Sequence, residues 1–230
     1  MATRRGIPRV VCGWVLAGLS ASTSASSPAE PEQLHPAAAL AVESGLSVDA
    51  SLVARWVARN EDNRGMPFVI VDKFRARLYV FSSIGRLVGE SPVLLGLSVG
   101  DESIPDIAER TPASLAPAER TTPAGRFASE PGHNARGEDI VWFDYDASLA
   151  IHRLRPSPPN QRRDERMDSA RTDDKRISYG CIVVPVAFYD AVVRPSIGRQ
   201  RGVVYVLPET RPVVEMLRHD QLSLRVPAVR

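Results

Sequence analysis

The sequence predicts a mainly β domain with a few short helices and two long loops. Short apolar runs of strand length recur from residue 66 to residue 97, with Gly, Ser and Asp between them, which is the pattern of an antiparallel β meander. Two polar segments, 101–120 and 153–176, lack a helical or strand period and contain three prolines each. Helical spacing is confined to short segments before residue 61 and after residue 184.

The first 25 residues have the composition of a secretory signal peptide. Three arginines precede a short apolar run at 10–21, and small residues follow it up to Ala25. The run is too short to span a bilayer comfortably, so we expect cleavage rather than a retained anchor. Residues 26–45 are rich in Ser, Pro, Ala and Glu and predict a flexible linker. We therefore expect a secreted or periplasmic protein with no membrane span after cleavage.

The basic excess of the chain lies in this predicted signal peptide. The whole chain has 29 basic and 27 acidic residues and a net charge of +2. Cleavage after Ala25 removes three arginines and no acidic residue, which leaves 26 basic residues and a net charge of −1. Phosphate binding requires a clustered excess of positive charge, so this balance argues against nucleic acid as the main partner. Cleavage also removes Cys12 and leaves Cys181 as the only cysteine.

A helix is predicted at the beginning of the folded part, in segment 46–62. Ser47 is a suitable N-cap residue, and the helix is expected to run to about Asn60. Four apolar residues fall on one face, which we expect to pack on the main domain: Leu52, Val53, Trp56 and Val57.

The main domain, residues 63–210, is predicted to consist mostly of strands. Those strands lie at 66–72, 77–81, 87–97, 139–143, 148–152 and 203–207, and a turn at 121–127 leads into a further strand. Proline suits the first turn of a helix, so a helix is predicted from Pro185 to residue 193, and a short helix and tail follow in 211–230. Long ordered loops in compact domains are often lids or binding walls, and we expect this of the 101–120 loop.

Residues 177–185 (ISYGCIVVP) carry the strongest signal for chemistry. Cys181 ends a predicted β run and Pro185 opens a helix. Such a strand–turn–helix holds one side chain rigidly and exposes backbone N–H groups beside it. Secreted proteins usually hold their cysteines in disulfides, so an unpaired thiol favours a reactive Cys181. The alternative is a buried, inert thiol.

A cysteine nucleophile requires a base, which is usually a histidine. His152, at the end of a predicted strand, is the preferred candidate, and His133, on a predicted exposed turn, is the second. His35 falls in the linker and His219 lies among charges near the C-terminus. The alternative for His152 is a hydrogen-bonded structural histidine. A histidine that precedes its cysteine reverses the order of papain-like hydrolases.

Three landmarks in order resemble the L,D-transpeptidases of bacterial cell walls. The segment Ser178-Tyr179-Gly180-Cys181-Ile182-Val183 is similar to the Ser-His-Gly-Cys-Ile-Arg segment of that family. Thr122-Pro123-Ala124-Gly125-Arg126-Phe127 matches its Thr-Pro-x-Gly-x-Phe turn. The apolar strands at 69–72 and 77–80, and the helix, glycine and Val-rich strand at 188–207, also fit. The resemblance covers residues 66–208 and implies a β-sandwich or mixed sheet.

This resemblance implies a peptidoglycan L,D-transpeptidase that forms a cysteine acyl-enzyme on tetrapeptide stems, without a metal or other cofactor. Cys181 is then the nucleophile and His152 its base. Backbone N–H groups near Gly180 and Cys181 hold the oxyanion, Ser178 orients His152, and Tyr179 walls the site. The implied partners are peptidoglycan stem peptides, and the protein is expected to be a monomer.

Departures from the family pattern leave the substrate open. Val183 stands where an arginine is usual, Arg153 stands where a glycine often follows the histidine, and the spacing from histidine to cysteine is longer than usual. Arg153, Arg155 and Arg176 are candidates to supply the missing cation, and Arg153 and Arg176 are the predicted substrate-binding residues. Two other functions stay open. One is a catalytically degenerate module that binds peptidoglycan, and the other is a hydrolase or D-amino-acid exchange enzyme on the same stems.

Overall fold

The computed structural model of the protein describes residues 45–217. The predicted signal peptide, nearly all of the predicted linker, most of the predicted C-terminal tail, and both His35 and His219 lie outside these residues. None of the described helices is long and apolar enough to cross a membrane.

The described residues form ten strands and several short helices, so the predicted mainly β fold class is confirmed. The strands are β1 (Phe68–Asp72), β2 (Arg77–Phe81), β3 (Leu87–Pro92), β4 (Leu95–Gly96), β5 (Gly125–His133), β6 (Asp139–Asp144), β7 (Leu149–Arg153), β8 (Arg176–Ser178), β9 (Ile182–Val184) and β10 (Gly202–Val206). The α-helices are α1 (Val48–Asn60), α2 (Arg163–Asp168), α3 (Val186–Phe188), α4 (Arg194–Ser196) and α5 (Val213–Met216), and a π-helical turn, Tyr189–Val193, joins α3 to α4.

Eight strands form one mixed sheet in the order β3-β2-β1-β10-β5-β6-β7-β9, and β4 pairs with β8 in a separate two-stranded sheet. The predicted meander is present as β1, β2 and β3, which pair antiparallel. Parallel pairing occurs between β1 and β10 and between β7 and β9. The pairing of β7 with β9 joins the strand that carries His152 to the strand that follows Cys181.

Residues from most strands of the eight-stranded sheet form one large hydrophobic core. Val69, Leu78, Val141, Ile151 and others from β1, β2, β6 and β7 belong to a single buried cluster, so residues from distant parts of the strand order share one core. The opposite face of β1 and β2 packs on α1 in a second cluster. β1 is therefore buried along its whole length, which explains why residues 68–71 are all apolar rather than alternating.

Helix α1 confirms the prediction made for its cap and its packing. The Ser47 side chain accepts a hydrogen bond of 3.0 Å from the N–H of Ala50, which satisfies one of the free donors of the first turn. Val53 and Val57 are fully buried against the sheet, and Leu52 and Trp56 pack at the edge of the same cluster. This face is therefore used within the domain.

The structure corrects several predicted boundaries. The predicted strand at 87–97 is interrupted after Pro92. The strand that follows the predicted turn at 121–127 is β5, which begins at Gly125 and extends to His133. The segment 153–176 is not wholly loop, because it contains α2. That helix has six residues, five of them charged, and buries only Met167, so it has no apolar period to detect. Segment 101–120 forms three short 3-10 turns.

A buried charged cluster fixes both ends of the loop between β4 and β5. The Nζ of Lys73, a fully buried residue, lies 2.8 Å from Asp101 and 3.4 Å from Glu209. It also donates a hydrogen bond of 2.9 Å to the carbonyl of Thr122. Asp101 in turn accepts hydrogen bonds from the N–H groups of Glu209 and Thr210, at 2.8 and 2.9 Å. This cluster secures the loop that borders the candidate site.

Asp101→Asn is expected to destabilise the fold in a pH-dependent way. Burial disfavours the Asp101 carboxylate, but hydrogen bonds from Lys73 and Thr210 outweigh it and lower its pKa from 3.8 to about 2. A carboxylate with a lowered folded-state pKa contributes stability above its unfolded pKa, here about 2 kcal/mol. That contribution is lost as the pH falls from about 4 to about 2. Urea unfolding of both proteins between pH 2 and pH 6 measures it, with the exposed Asp146→Asn as the control. A wild type-to-variant difference that is unchanged across this window would contradict the expectation.

Candidate active site

Cys181 lies in a tight turn between β8 and β9, and Ser178 holds that turn together. The Ser178 hydroxyl donates a hydrogen bond of 2.6 Å to the carbonyl of Cys181 and accepts one of 3.0 Å from the N–H of Gly180. Ser178 thus orients the turn that carries Cys181, and its proton goes to this turn rather than to His152, the partner expected from the sequence. The N–H of Gly180 is likewise engaged within the turn.

Glycine is required at position 180 by both conformation and space. Its φ is +127°, a value that L-residues with a side chain rarely adopt. A Cβ atom there would lie 2.7 Å from the carbonyl oxygen of Thr121 and 2.8 Å from the Cδ2 of Leu149. The turn can therefore approach the neighbouring loop and β7 only because position 180 has no side chain.

Gly180→Ala is expected to lower the free energy of unfolding by about 2 kcal/mol or more. The added Cβ makes the positive φ strained, and it also collides with the backbone of Thr121. It should also slow alkylation of Cys181, because relief of the contact moves the turn. Gly137→Ala is the matched control. Gly137 also has a positive φ, of +78°, but a Cβ atom added there would meet no other atom within 4 Å. Equal losses of stability in the two variants would show that space at position 180 does not matter.

Thr122 links the Cys181 turn to the loop before β5. Its hydroxyl donates a hydrogen bond of 2.9 Å to the carbonyl of Gly180 and accepts one of 2.9 Å from the N–H of Gly96. The residue is fully buried, so both bonds are shielded from water. The Thr-Pro-x-Gly-x-Phe turn noted in the sequence therefore supports the cysteine directly, a role that the motif alone does not reveal.

His152 occupies the strand next to the one that follows the cysteine. Its Cα pairs with that of Val183, two residues after Cys181. Its Nδ1 lies 2.8 Å from the carbonyl oxygen of Arg153. A carbonyl can only accept, so Nδ1 carries the proton in the neutral ring, and Nε2 is left with a free lone pair. This is the tautomer that a general base requires.

Cys181 and His152 line one cavity of about 260 Å³. Its wall is contributed by the 101–120 loop, by β7 and the turn before it, by the loop after β7, and by the cysteine turn. The lining residues are Ile107, Arg110, Leu115, Ala147, Ser148, Leu149, His152, Arg155, Arg163, Ser178, Tyr179, Cys181 and Val183. Tyr179 thus walls the site, with the guanidinium of Arg120 4.4 Å above the centre of its ring. The loop 101–120 is part of the same wall.

The electrostatics keep both reactive groups neutral at rest. Burial raises the pKa of the Cys181 thiol, although the N–H of Ala150 and the charge of Arg155 favour the thiolate. Burial lowers the pKa of His152 to about 4, and the nearby charges of Arg155 and Arg163 add to this effect. The Cys181 thiol donates a hydrogen bond to the carbonyl of Ser148, whose oxygen lies 3.7 Å from the sulfur. The resting pair is therefore thiol and imidazole rather than thiolate and imidazolium.

The two predicted substrate-binding arginines lie elsewhere and have structural partners. Arg153 forms ion pairs with Asp139, at 2.9 Å, and Asp190, at 2.5 Å. Arg176 pairs with Glu209 and donates a hydrogen bond to the carbonyl of Lys73. Neither lines the cavity. Arg153 follows His152 in β7, so its side chain lies on the other face of the strand. Arg176 joins the buried charged cluster. Sequence spacing shows neither arrangement.

The arginines that do line the cavity are Arg110, Arg155 and Arg163. Arg155 is one of the three candidates from the sequence, whereas Arg110 and Arg163 lie in segments predicted as loops, where no pattern distinguishes them. Val183 is fully buried and packs with Leu94 and Met167. The strand after the cysteine therefore presents an apolar side chain to the site, and its cations come from the two long segments.

His133 lies outside this arrangement. It is the exposed last residue of β5, rather than part of a turn, and it does not line the cavity. Within residues 45–217, no three side chains among His, Cys, Asp and Glu are grouped as a metal ion would require.

Comparisons with known proteins give structural neighbours but no sequence match. No protein-family model matches the chain, and no curated protein matches it. The crystal structure of an L,D-transpeptidase (residues 123–326) from Xylanimonas cellulosilytica is similar at 20% identity and a TM-score of 0.35, over 61% of this chain and 60% of that one. An L,D-transpeptidase from Mycobacterium smegmatis is similar at 15% identity and a TM-score of 0.34, over 61% and 58%. The chain thus spans about three fifths of each of these structures.

Proposed function

We propose that the protein is a secreted L,D-transpeptidase that acts on peptidoglycan tetrapeptide stems through an acyl-enzyme at Cys181. The observation that carries this proposal is the shared cavity. An unpaired cysteine and a histidine with a free Nε2 line the same open pocket, and the cysteine turn is held by buried hydrogen bonds. The resemblance of residues 178–183 and 122–127 to the family supplies the substrate class.

In the acylation step, the Cys181 thiol turns from the carbonyl of Ser148 towards His152. Nε2 of His152 then takes the thiol proton as the sulfur bonds to the carbonyl carbon of the third stem residue. Because both groups are neutral at rest, proton transfer accompanies attack, as in general-base catalysis. Collapse of the tetrahedral intermediate breaks the C–N bond. The departing amine of D-alanine takes the proton back from His152, which leaves a thioester on Cys181.

The oxyanion of that intermediate needs a hydrogen-bond donor in the cysteine turn. The N–H of Gly180 donates to Ser178, so we assign the role to the N–H of Cys181 itself. Glycine at position 180 keeps side-chain atoms away from this donor. One such donor typically contributes about 3 kcal/mol of transition-state stabilisation.

Deacylation reverses these roles. His152 removes a proton from an amine of a second stem, the amine attacks the thioester carbonyl, and the C–S bond breaks. The sulfur recovers its proton from the imidazolium. The product is a new amide bond between two stems, and the enzyme returns to its neutral resting pair.

The proposal is tested by muropeptide analysis of tetrapeptide-rich sacculi incubated with the purified protein. We expect cross-links that begin at the third residue of the donor stem, together with released D-alanine. Tripeptides without cross-links would indicate a hydrolase instead of a transpeptidase. Exchanged terminal residues without cross-links would indicate a D-amino-acid exchange enzyme. Sacculi that retain the protein with an unchanged muropeptide profile would contradict catalysis and leave a binding module.

A further inference from the structure

Among residues 45–217, the cavity beside Cys181 is lined by three arginines and by no carboxylate. Cations alone on a pocket wall create a positive potential, and such a potential attracts an anionic ligand. Two of these arginines already have carboxylate partners. Arg110 lies 3.1 Å from Glu119, and Arg155 lies 2.8 Å from Glu138.

Arg163 differs from the other two. Within residues 45–217 it forms no ion pair with a carboxylate, and its Nε donates a hydrogen bond of 2.7 Å to the side-chain oxygen of Gln161. It is only partly exposed. A guanidinium has five N–H donors in a planar fork that fits a carboxylate, and most of those donors remain available on Arg163.

Arg163 and Arg155 also lie between two cavities. Besides the Cys181 cavity, both line a neighbouring cavity of about 320 Å³, which includes Arg136 and again no acidic residue. Burial lowers the pKa of Arg163. Tyr179 opposes this effect, and repulsion from Arg155 adds to it. An anion between the two guanidinium groups would relieve this repulsion, because it adds the missing opposite charge.

We propose that Arg163, with Arg155 beside it, is a specificity-determining residue that binds a carboxylate of the acyl donor next to Cys181. The proposal rests on the proposed function and names the group that the site selects. Val183 is apolar and buried, so it offers no charge to a substrate carboxylate. Arg163 offers that charge from helix α2, which lies in the segment between His152 and Cys181. That segment thereby gains a role in substrate choice.

The alkylation of Cys181 by iodoacetate and by iodoacetamide tests this directly. The two reagents transfer almost the same group to the sulfur and lose iodide in both cases, but only iodoacetate carries a carboxylate. Arg163→Gln is expected to lower the ratio of the iodoacetate rate to the iodoacetamide rate by about tenfold, the order contributed by one unit charge a few ångströms away. Arg163→Lys should restore part of the ratio, and Arg199→Gln, an exposed charge outside both cavities, should leave it unchanged.

Each outcome decides between the proposals. A ratio that is unchanged in Arg163→Gln, or two rates that fall together, would overturn the role of Arg163 while Cys181 stays a reactive nucleophile. Failure of both reagents on the wild type would instead count against the proposed function. With stem peptides as donors, Arg163→Gln should raise KM more than it lowers kcat, and amidation of the donor carboxylates should raise the KM of the wild type but not that of the variant.

Discussion

Treatment with a carbapenem is expected to add the mass of the drug to the wild-type protein at Cys181, and Cys181→Ala should show no adduct. The sulfur would attack the β-lactam carbonyl and open the ring, so that the drug stays bound as a thioester. The cavity gives the drug access to the sulfur, and the Cys181 turn is held in place by Ser178 and Thr122. Intact-mass spectrometry followed by peptide mapping measures the adduct.

Cys12→Ala is the control for that experiment, because it removes the other cysteine of the chain and should form the adduct like the wild type. Circular dichroism establishes that Cys181→Ala is folded. A folded wild type that stays unmodified, or an adduct that persists in Cys181→Ala, would contradict a nucleophilic role for this cysteine.

His152→Gln is expected to lower turnover by about 10²–10⁴-fold at neutral pH. The thiol of Cys181 is neutral at rest, since burial raises its pKa, so it needs a base at the moment of attack. Glutamine keeps a polar side chain of similar length but does not accept the thiol proton as a base. Single-turnover rates with a stem donor measure the loss.

His133→Gln is the matched control for His152→Gln, because His133 is exposed and lies outside the cavity. It should turn over like the wild type. The wild-type rate should fall as the pH drops through about 4, since His152 acts only when neutral and burial lowers its pKa to about that value. Equal rates for the two variants would exclude His152 as the base. A fall centred near pH 6.5, the ordinary histidine value, would contradict the lowered pKa.

Much of the fold could be predicted because its strands alternate with clear turn residues. The apolar runs of β1 and of its neighbours β2 and β10 are visible in the sequence, and so is the cap at Ser47. The parallel pairing of β7 with β9 was not predictable. It joins segments separated by a long polar stretch, and no local pattern encodes which distant strand lies beside His152.

In the candidate site, too, some residues could be predicted from local sequence patterns and others could not. Cys181, His152 and Gly180 could be singled out because each departs from its local pattern or matches a short motif. The arginines could not be ranked, since the chain has arginines throughout and their partners are set by contacts in space. Arg153 and Arg176 pair with Asp139, Asp190 and Glu209. Arg163 reaches the cavity from a helix with no apolar period.

Capture of the acyl-enzyme is the most direct test of the proposed chemistry. The wild-type protein is mixed with a tetrapeptide stem in the absence of an acceptor and quenched in acid, and the product is mapped by mass spectrometry. The shared cavity of Cys181 and His152 predicts a thioester at Cys181 with the mass of the stem less D-alanine, which Cys181→Ala lacks. Release of D-alanine without any adduct on Cys181, or a stem that stays intact under conditions in which Cys181 is alkylated, would contradict it.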